Sequence, residues 1–410
     1  MLLPSPCFRP GANISKHLGP PLHPNLSRTF LPAVCGIGCG TGWCVLKITL
    51  FGLTLSSSWG NGHATPYRAI LRALHRLGHS VTFYERDVPY YAKHRDFEQC
   101  TYCDLKLYSS WDDISVQALA EAAESDAVIT ASYVPEGARI ADALLSLDGP
   151  LRVFYDLDTP ITLQRLAESD LDYIRAQQLS GFDLVLSWTG GEALVALARD
   201  FSVKVAQPLF GCVDPDVYRP VQPRPGLRCE LSYMGTYASD RQAKLESMFL
   251  QPARLRPYSS FLLAGPLYPP EWQWPANVQR TEHVPVADHP ALYSSSRITL
   301  NLTRESMAAC GYCPSGRFFE AAACGAPIVT DWFRGLDSFF EPGQELIVAN
   351  DTEEIMHALD MPDSDLFSMA GRARQRTLDE HTGYRRALTM LSAFESARSP
   401  NPSKPQMEAA

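Results

Sequence analysis

The sequence predicts two doubly wound α/β domains in tandem with a cleft between them. Three observations carry that expectation. Short β-rich runs alternate with amphipathic helical stretches from Lys47 to Ser187, and again from Glu230 to Glu395. A proline-dense segment separates the two series. At 410 residues the chain is long enough for two cores.

The first series opens with the β-rich run Lys47–Leu55, followed by the small, polar stretch Ser56–Gly62. Ala64–Leu77 carries apolar residues at helical spacing and stops at Gly78. Ser80–Tyr84, Leu105–Tyr108, Ala127–Thr130, Leu151–Tyr155 and Leu184–Ser187 read as further short strands. Helical stretches such as Ser115–Glu124 and Glu136–Leu147 separate them, so the sheet should be parallel, with ligands at its carboxyl edge. Gln207–Pro220, with more prolines through Pro225, reads as a semi-rigid linker.

The second series has strands at Glu230–Met234, Phe261–Ala264 and Ile298–Leu302, with a helix at Arg241–Leu250. Cys310–Asp331 reads as a loop, a short helix with one inward acid, a glycine turn and a buried strand. Helical patterns at Thr352–Leu359 and Asp365–Glu380 follow, and no strand comes after them, so the last helices are free to cross back onto the first domain. The expected divisions are a disordered extension over 1–45, a first domain over 46–206, linker and second domain over 207–395, and a disordered tail over 396–410.

Bulk properties narrow the function. With 45% hydrophobic and 20% charged residues this is an ordinary globular composition. A formal charge of -9 speaks against a duplex nucleic-acid binder. After residue 45 there is no apolar run long enough for a membrane span. Eleven scattered cysteines fit reduced thiols in a cytoplasmic protein better than a disulfide framework. Gly36–Gly42 imitates a nucleotide-binding glycine loop, but a strand rather than a helix follows it, so it is a decoy.

Four constellations could carry chemistry. Gly60, Asn61 and Gly62 form a loop between a first strand and a helix, suited to close approach of a phosphate or sugar. His63, at the helix start, is either a general base or a capping and packing residue. Asp156-Leu157-Asp158 ends the strand Leu151–Tyr155; alternation would put both acids on one face. They read as a metal pair or, better, as cleft lining with Asp158 or Thr159 capping the next helix. Gly235 ends the second domain's first strand, with Arg241 on the helix that follows. Arg304 ends the strand Ile298–Leu302 and leads to Ser315, Arg317 and Glu320. Three arginines at strand ends and helix starts suit a diphosphate, and an inward Glu320 suits two ribose hydroxyls. Neither Cys100/Cys103 nor Cys310/Cys313 has the partners for zinc, and Cys310–Cys313 lies in a loop rather than opening a helix after a strand, so neither pair enters the mechanism.

Gln207–Pro220, with its proline, Gly-Cys-Val-Asp and terminal Tyr-Arg-Pro, resembles the interdomain linker of GT-B glycosyltransferases. Glu320-Ala321-Ala322-Ala323-Cys324-Gly325-Ala326-Pro327-Ile328-Val329 resembles their donor-site signature. The series Asn301-Leu302-Thr303-Arg304, Gly311-Tyr312, Pro314-Ser315, Arg317, Phe319-Glu320, Asp331-Trp332 and Gly335-Leu336-Asp337 is similar to the CgeB-like, spore-maturation-type branch. The resemblance spans Leu46 to Glu395. It implies a GT-B fold of two Rossmann-like domains and sugar transfer from a nucleotide-sugar donor, without an obligatory metal or other cofactor. Glu320 would hold the ribose, Gly235 would admit the diphosphate, Arg241 or Arg317 would neutralise it, and the backbone near His283–Pro285 would face the base. The acceptor would sit on the first domain, with His63 and Asp158 as base candidates if the reaction inverts. Many retaining relatives carry an acid eight positions before the ribose-binding one; here Tyr312 stands there, so the resemblance leaves stereochemistry open. The alternative is a GT-B-shaped nucleotide- or glycan-binding assembly protein without turnover.

Overall fold

The structure, a computed structural model, describes residues 45–97, 99–169 and 171–399. The Gly36–Gly42 loop, the rest of the expected N-terminal extension and residues from 400 onward lie outside the described residues.

Two parallel sheets form. The first contains β1 (Lys47–Gly52), β2 (Ser80–Arg86), β3 (Asp104–Tyr108), β4 (Ala127–Ala131), β5 (Leu151–Asp156), β6 (Leu184–Ser187) and β7 (Ala206–Pro208), in the order β3-β2-β1-β4-β5-β6-β7. The second contains β8 (Cys229–Met234), β9 (Phe261–Ala264), β10 (Val278–Thr281), β11 (Ser296–Asn301), β12 (Ile328–Thr330) and β13 (Ile347–Val348), in the order β10-β9-β8-β11-β12-β13. Strand order reverses between β1 and β4 in one sheet and between β8 and β11 in the other. Loops leaving neighbouring strands there diverge to opposite faces, which opens a crevice at each carboxyl edge.

The central strands are covered on both faces, so they read as continuous apolar runs. Ile48, Val128, Ile129 and Val153 are fully buried in the first sheet, as are Leu231, Leu263 and Ile298 in the second. Each such side chain contributes roughly 1.5–3 kcal/mol relative to exposure. No helix among the described residues is long and apolar enough to cross a membrane.

Several boundaries differ from expectation. β1 ends at Gly52 instead of Leu55, because the backbone beyond turns toward the carboxylate of Glu85. The second long helix starts at Trp111 rather than Ser115, with Asp112 and Asp113 in its first turn and the Ser110 hydroxyl donating to Asp113 at 2.6 Å. Gln207 and Pro208 belong to β7 and pair with β6, so the boundary expected at 207 falls after Pro208. β10 went unforeseen because its residues are exposed or half-buried and show no alternation. The Arg241–Leu250 helix runs on to Leu255 through a widened turn at Glu246–Leu250, where Pro252 has no N–H to donate.

The chain returns to the first domain at its end. The helix Gly383–Arg398 packs on the helix Ala64–Arg76 and against β5 and β6, so the last helix of the expected second domain belongs physically to the first. It also outlasts the expected tail boundary at 396. Gly383 allows the approach, because a Cβ there would strike the Ala69 backbone. Buried Arg386 fastens the crossing by donating to the carbonyls of Phe210 (3.0 Å) and Glu380 (3.1 Å).

Candidate functional site

The carboxyl-edge loops of both sheets meet around one cleft of about 370 Å³. Eleven of the residues singled out in the sequence line it: Gly60, Asn61, Gly62, His63 and Asp158 from the first domain, and Gly235, Arg241, Arg304, Ser315, Arg317 and Glu320 from the second.

On the first-domain side, the loop after β1 is built around an internal anion. Glu85, 1% exposed at the end of β2, accepts from Thr54 Oγ1 (2.9 Å), Leu55 N (2.7 Å), Ser56 N (2.9 Å) and Ser56 Oγ (2.5 Å). The Thr54, Leu55 and Ser56 donors at the start of this loop are thus committed to a carboxylate. Gly60-Asn61-Gly62, beyond those donors, is the part of the loop that lines the cleft. Asn61 Oδ1 accepts from His63 N (3.0 Å) and Ala64 N (3.3 Å), so Asn61 rather than His63 caps the helix. The His63 imidazole is free of that duty. Its Nδ1 has no partner, and burial pushes its pKa down to about 4.

Asp156 and Asp158 do not share a face, contrary to the alternation argument. Asp156 is fully buried, and its Oδ1 accepts from Asp158 N (3.1 Å) and Thr162 Oγ1 (3.0 Å), which shapes the start of the helix Thr159–Leu166. Burial raises its carboxyl to about 7. Asp158 alone lines the cleft. Its side chain does not cap the helix; Oδ2 accepts from Tyr133 Oη at 2.7 Å, and Oδ1 is buried without a partner. Burial raises its pKa, while Tyr133 and the Arg304 charge across the cleft oppose the rise. Among the described residues no three His, Cys, Asp or Glu side chains gather as a metal site.

On the second-domain side, Arg317 and Glu320 are three residues apart on the helix Gly316–Ala323 and face the same way. Glu320 is 7% exposed, and its Oε2 accepts from Tyr293 Oη at 3.2 Å. His289 Nδ1 lies 3.8 Å from the same oxygen. His289 Nε2 donates to the Val284 carbonyl at 3.0 Å, so its Nδ1 is the acceptor for Tyr218 Oη at 3.2 Å. Burial holds both tyrosines far above their usual pKa, so they remain donors. The support fixes the acid and leaves its Oε1 without a protein hydrogen bond among the described residues.

Two guanidiniums lie beside it. Arg241 is 7% exposed, donates to Thr236 O at 2.5 Å and has an unpartnered Nε. Burial and then the neighbouring Arg317 charge lower its pKa. Arg317 donates to Ser315 Oγ at 3.1 Å and to the Met234 carbonyl. Among the described residues neither arginine belongs to an ion pair. Gly235 makes room for this arrangement: a Cβ there would come within 2.5 Å of Arg317 Nη1 and 2.8 Å of Tyr233 Oη. Its immediate role is thus to admit Arg317, not a diphosphate directly. Arg304 Nε pairs with Asp240 Oδ2 at 3.5 Å.

Tyr312 is absent from the cleft wall. Its backbone φ is +47°, and its ring wedges between glycines of both domains; a Cβ on Gly191 would come within 2.5 Å of it, and one on Gly335 would also collide. The loop around it is tied to the first domain by Gly190 N to Tyr312 O (3.0 Å), Trp188 Nε1 to Pro314 O (2.9 Å) and Thr189 Oγ1 to Cys313 Sγ (3.1 Å). A second bridge closes the rim: Trp59 stacks on His94 at 3.8 Å and meets His283 of the other domain at 4.2 Å.

Sequence reasoning missed Glu85, Tyr133, the Tyr218-His289-Tyr293 support and the Trp59 bridge. Only Tyr218 carried a signal, as the aromatic residue of the linker pattern. The others act through contacts between residues far apart in sequence, from 25 positions for Tyr133 and Asp158 to more than 200 for Trp59 and His283.

These features define a two-domain GT-B fold. Residues 241–392 match a family model described as glycosyl transferase-like. No curated protein matches the chain. Among solved structures it is similar to sucrose-phosphate synthase from Thermosynechococcus elongatus, with a TM-score of 0.60 and 13% identity over 85% of this chain and 98% of that one. It is similar to Anabaena HepE in complex with UDP and glucose, with a TM-score of 0.60 and 11% identity over 86% of this chain and 100% of that one. An α-glucosyltransferase in complex with UDP and a 13-mer DNA has a TM-score of 0.59 and 13% identity, over 86% of this chain and 100% of that one. At these identities the likeness establishes the fold.

Proposed function

We propose that this protein is a glycosyltransferase that moves a sugar from a nucleotide-sugar donor to an acceptor hydroxyl, without a metal. One observation carries the reading: three buried polar atoms without partners, His63 Nδ1, Asp158 Oδ1 and Arg241 Nε, all belong to residues lining the same cleft. Buried polar groups left unpaired cost stability, so a cluster of them around a cavity fits a site completed by its ligand. The second-domain match to a glycosyl transferase-like model supports the same reading.

In this reading Glu320 accepts two hydrogen bonds from the ribose diol. Arg241 and Arg317, cationic and without a carboxylate, take the diphosphate and stabilise it as it departs. Arg304 stands between donor and acceptor. The base candidates are shifted in opposite directions: burial weakens His63 as a base and strengthens Asp158. If the reaction inverts, Asp158 takes the acceptor proton, and neutral His63 hydrogen-bonds the acceptor. Within glycosyltransferases, the Asn301–Glu320 pattern supports the CgeB-like branch.

A thermal-shift panel of UDP-, GDP-, ADP-, CMP- and dTDP-sugars, followed by hydrolysis assays on any binder, tests the proposal. At least one nucleotide sugar should raise Tm and release sugar slowly. No shift with any of them would remove the donor assignment. Binding without sugar release across a broad acceptor screen would favour the non-catalytic alternative.

A further inference from the structure

The segment beneath the first-domain rim holds Cys100-Thr101-Tyr102-Cys103, which the proposed transfer does not use. The two sulfurs are 2.9 Å apart, and both residues are half-buried, within reach of a small reagent. The other pair is different: Cys313 is buried and bonded to Thr189 and Met307 rather than to Cys310.

We propose that Cys100 and Cys103 form a redox-active dithiol that closes to a disulfide by exchange with a low-molecular-weight disulfide, Cys100 being the attacking sulfur. The asymmetry of the pair supports this order. The Cys103 S–H donates to Cys100, the Tyr102 and Cys103 N–H groups also point to it, and Arg72 adds positive charge; together they outweigh partial burial and bring Cys100 down to about 7. The hydrogen bond to Cys100, burial and the nearby Asp104 push Cys103 up. Tyr102 is the remaining titratable neighbour, and its phenol is held high by burial.

The exchange balances without a further reactant. The Cys100 thiolate attacks one sulfur of the oxidant RS–SR and releases RS⁻. Cys103 then loses its proton and attacks Cys100 of the mixed disulfide, releasing a second RS⁻. The protein loses two electrons and two protons, and RS–SR becomes two RSH.

The bond would form next to the cleft rim. Arg72 lies over the Tyr102 ring and Phe97 packs on it at 5.9 Å. Arg68 stacks on Phe97, holds the Leu55 carbonyl at 2.8 Å and pairs with Asp96 at 2.6 Å; Asp96 in turn accepts from Ser58 of the glycine loop.

The test treats the intact protein with oxidised glutathione, blocks remaining thiols with iodoacetamide and maps the peptides. A Cys100–Cys103 linked peptide is expected. Cys103→Ser should instead keep glutathione on Cys100, because the resolving sulfur is gone. At pH 7 a thiol of pKa about 7 is about 15-fold more ionised than an ordinary one, and its lower intrinsic nucleophilicity reduces this to about threefold in rate. Alkylation of Cys100 in the wild type should therefore run about threefold faster than that of free glutathione, with a midpoint near pH 7. Both cysteines staying fully alkylatable after oxidant, or Cys100 alkylating with the pH midpoint of an ordinary thiol, would overturn the proposal. These readouts use no nucleotide, so they stand apart from the transferase reading.

Discussion

Replacing Arg241 by methionine separates a ligand-binding guanidinium from a structural one. Arg241 is 7% exposed, sits beside Arg317 and has no carboxylate ion pair among the described residues; its guanidinium donates to the Thr236 carbonyl. Its free Nε and remaining N–H groups can give an anion two charge-assisted hydrogen bonds. Such bonds contribute about 1.5–3 kcal/mol each, and since they are not additive their joint loss should cost about 2–3 kcal/mol, or about 30- to 150-fold in nucleoside diphosphate affinity. Stability should move the other way. Exchanging an unpaired buried charge for an apolar side chain of similar length is neutral to stabilising by about 1–2 kcal/mol, which raises Tm by about 2–4 °C per kcal/mol. Calorimetry with the best nucleoside diphosphate of the panel, with its uncharged nucleoside as control, and melting curves without ligand read both effects. The nucleoside should bind the variant unchanged. Diphosphate affinity within about threefold of wild type, or a fall in Tm of about 10 °C, would refute the argument and make Arg241 structural.

Glu320→Ala should weaken binding of the nucleoside as well as the diphosphate, by about 10- to 100-fold, and should abolish discrimination between ribo- and 2′-deoxyribonucleotides in the same titration. Asp158→Asn should lower turnover while leaving donor affinity within about threefold, which steady-state kinetics against donor-only calorimetry would separate. Activity with and without EDTA should be equal, since Asp156 is sealed beneath the cleft and Asp158 faces it alone; loss in EDTA would return both acids to metal binding. His63 and Asp156 should leave opposite marks on stability against pH. The folded state favours neutral His63, so its contribution is present above pH 6.5 and lost as pH falls toward 4. The folded state favours protonated Asp156, so its contribution is present below pH 3.8 and lost as pH rises toward 7. Chemical denaturation across that range should show the wild-type advantage over His63→Asn growing with pH by ~3 kcal/mol and that over Asp156→Asn shrinking by ~4 kcal/mol.

The sequence by itself determined the alternating architecture, because a strand buried on both faces must be apolar throughout and its partner helix must be apolar on one side. It also determined which residues stand at strand ends and helix starts, and hence the cleft-facing positions of Gly235, Arg241, Arg304, Arg317 and Glu320. Their common destination follows from two parallel sheets, whose loops gather at one edge.

Only the tertiary structure decided how those positions are used. Asp156 and Asp158 are two residues apart, yet one is sealed under a helix start and the other faces the cleft, since the strand ends between them. The turn from β1 into the glycine loop looks like an anion cradle until Glu85, about thirty residues away, arrives as the anion for Leu55 and Ser56. Tyr312 stands eight positions before Glu320, and three-dimensional packing makes it a wedge between two domains. Local patterns fix where a side chain points relative to its own element. What fills the space it points into is set by long-range contacts, and the charge, pKa and free hydrogen-bonding atoms of the site follow from those contacts.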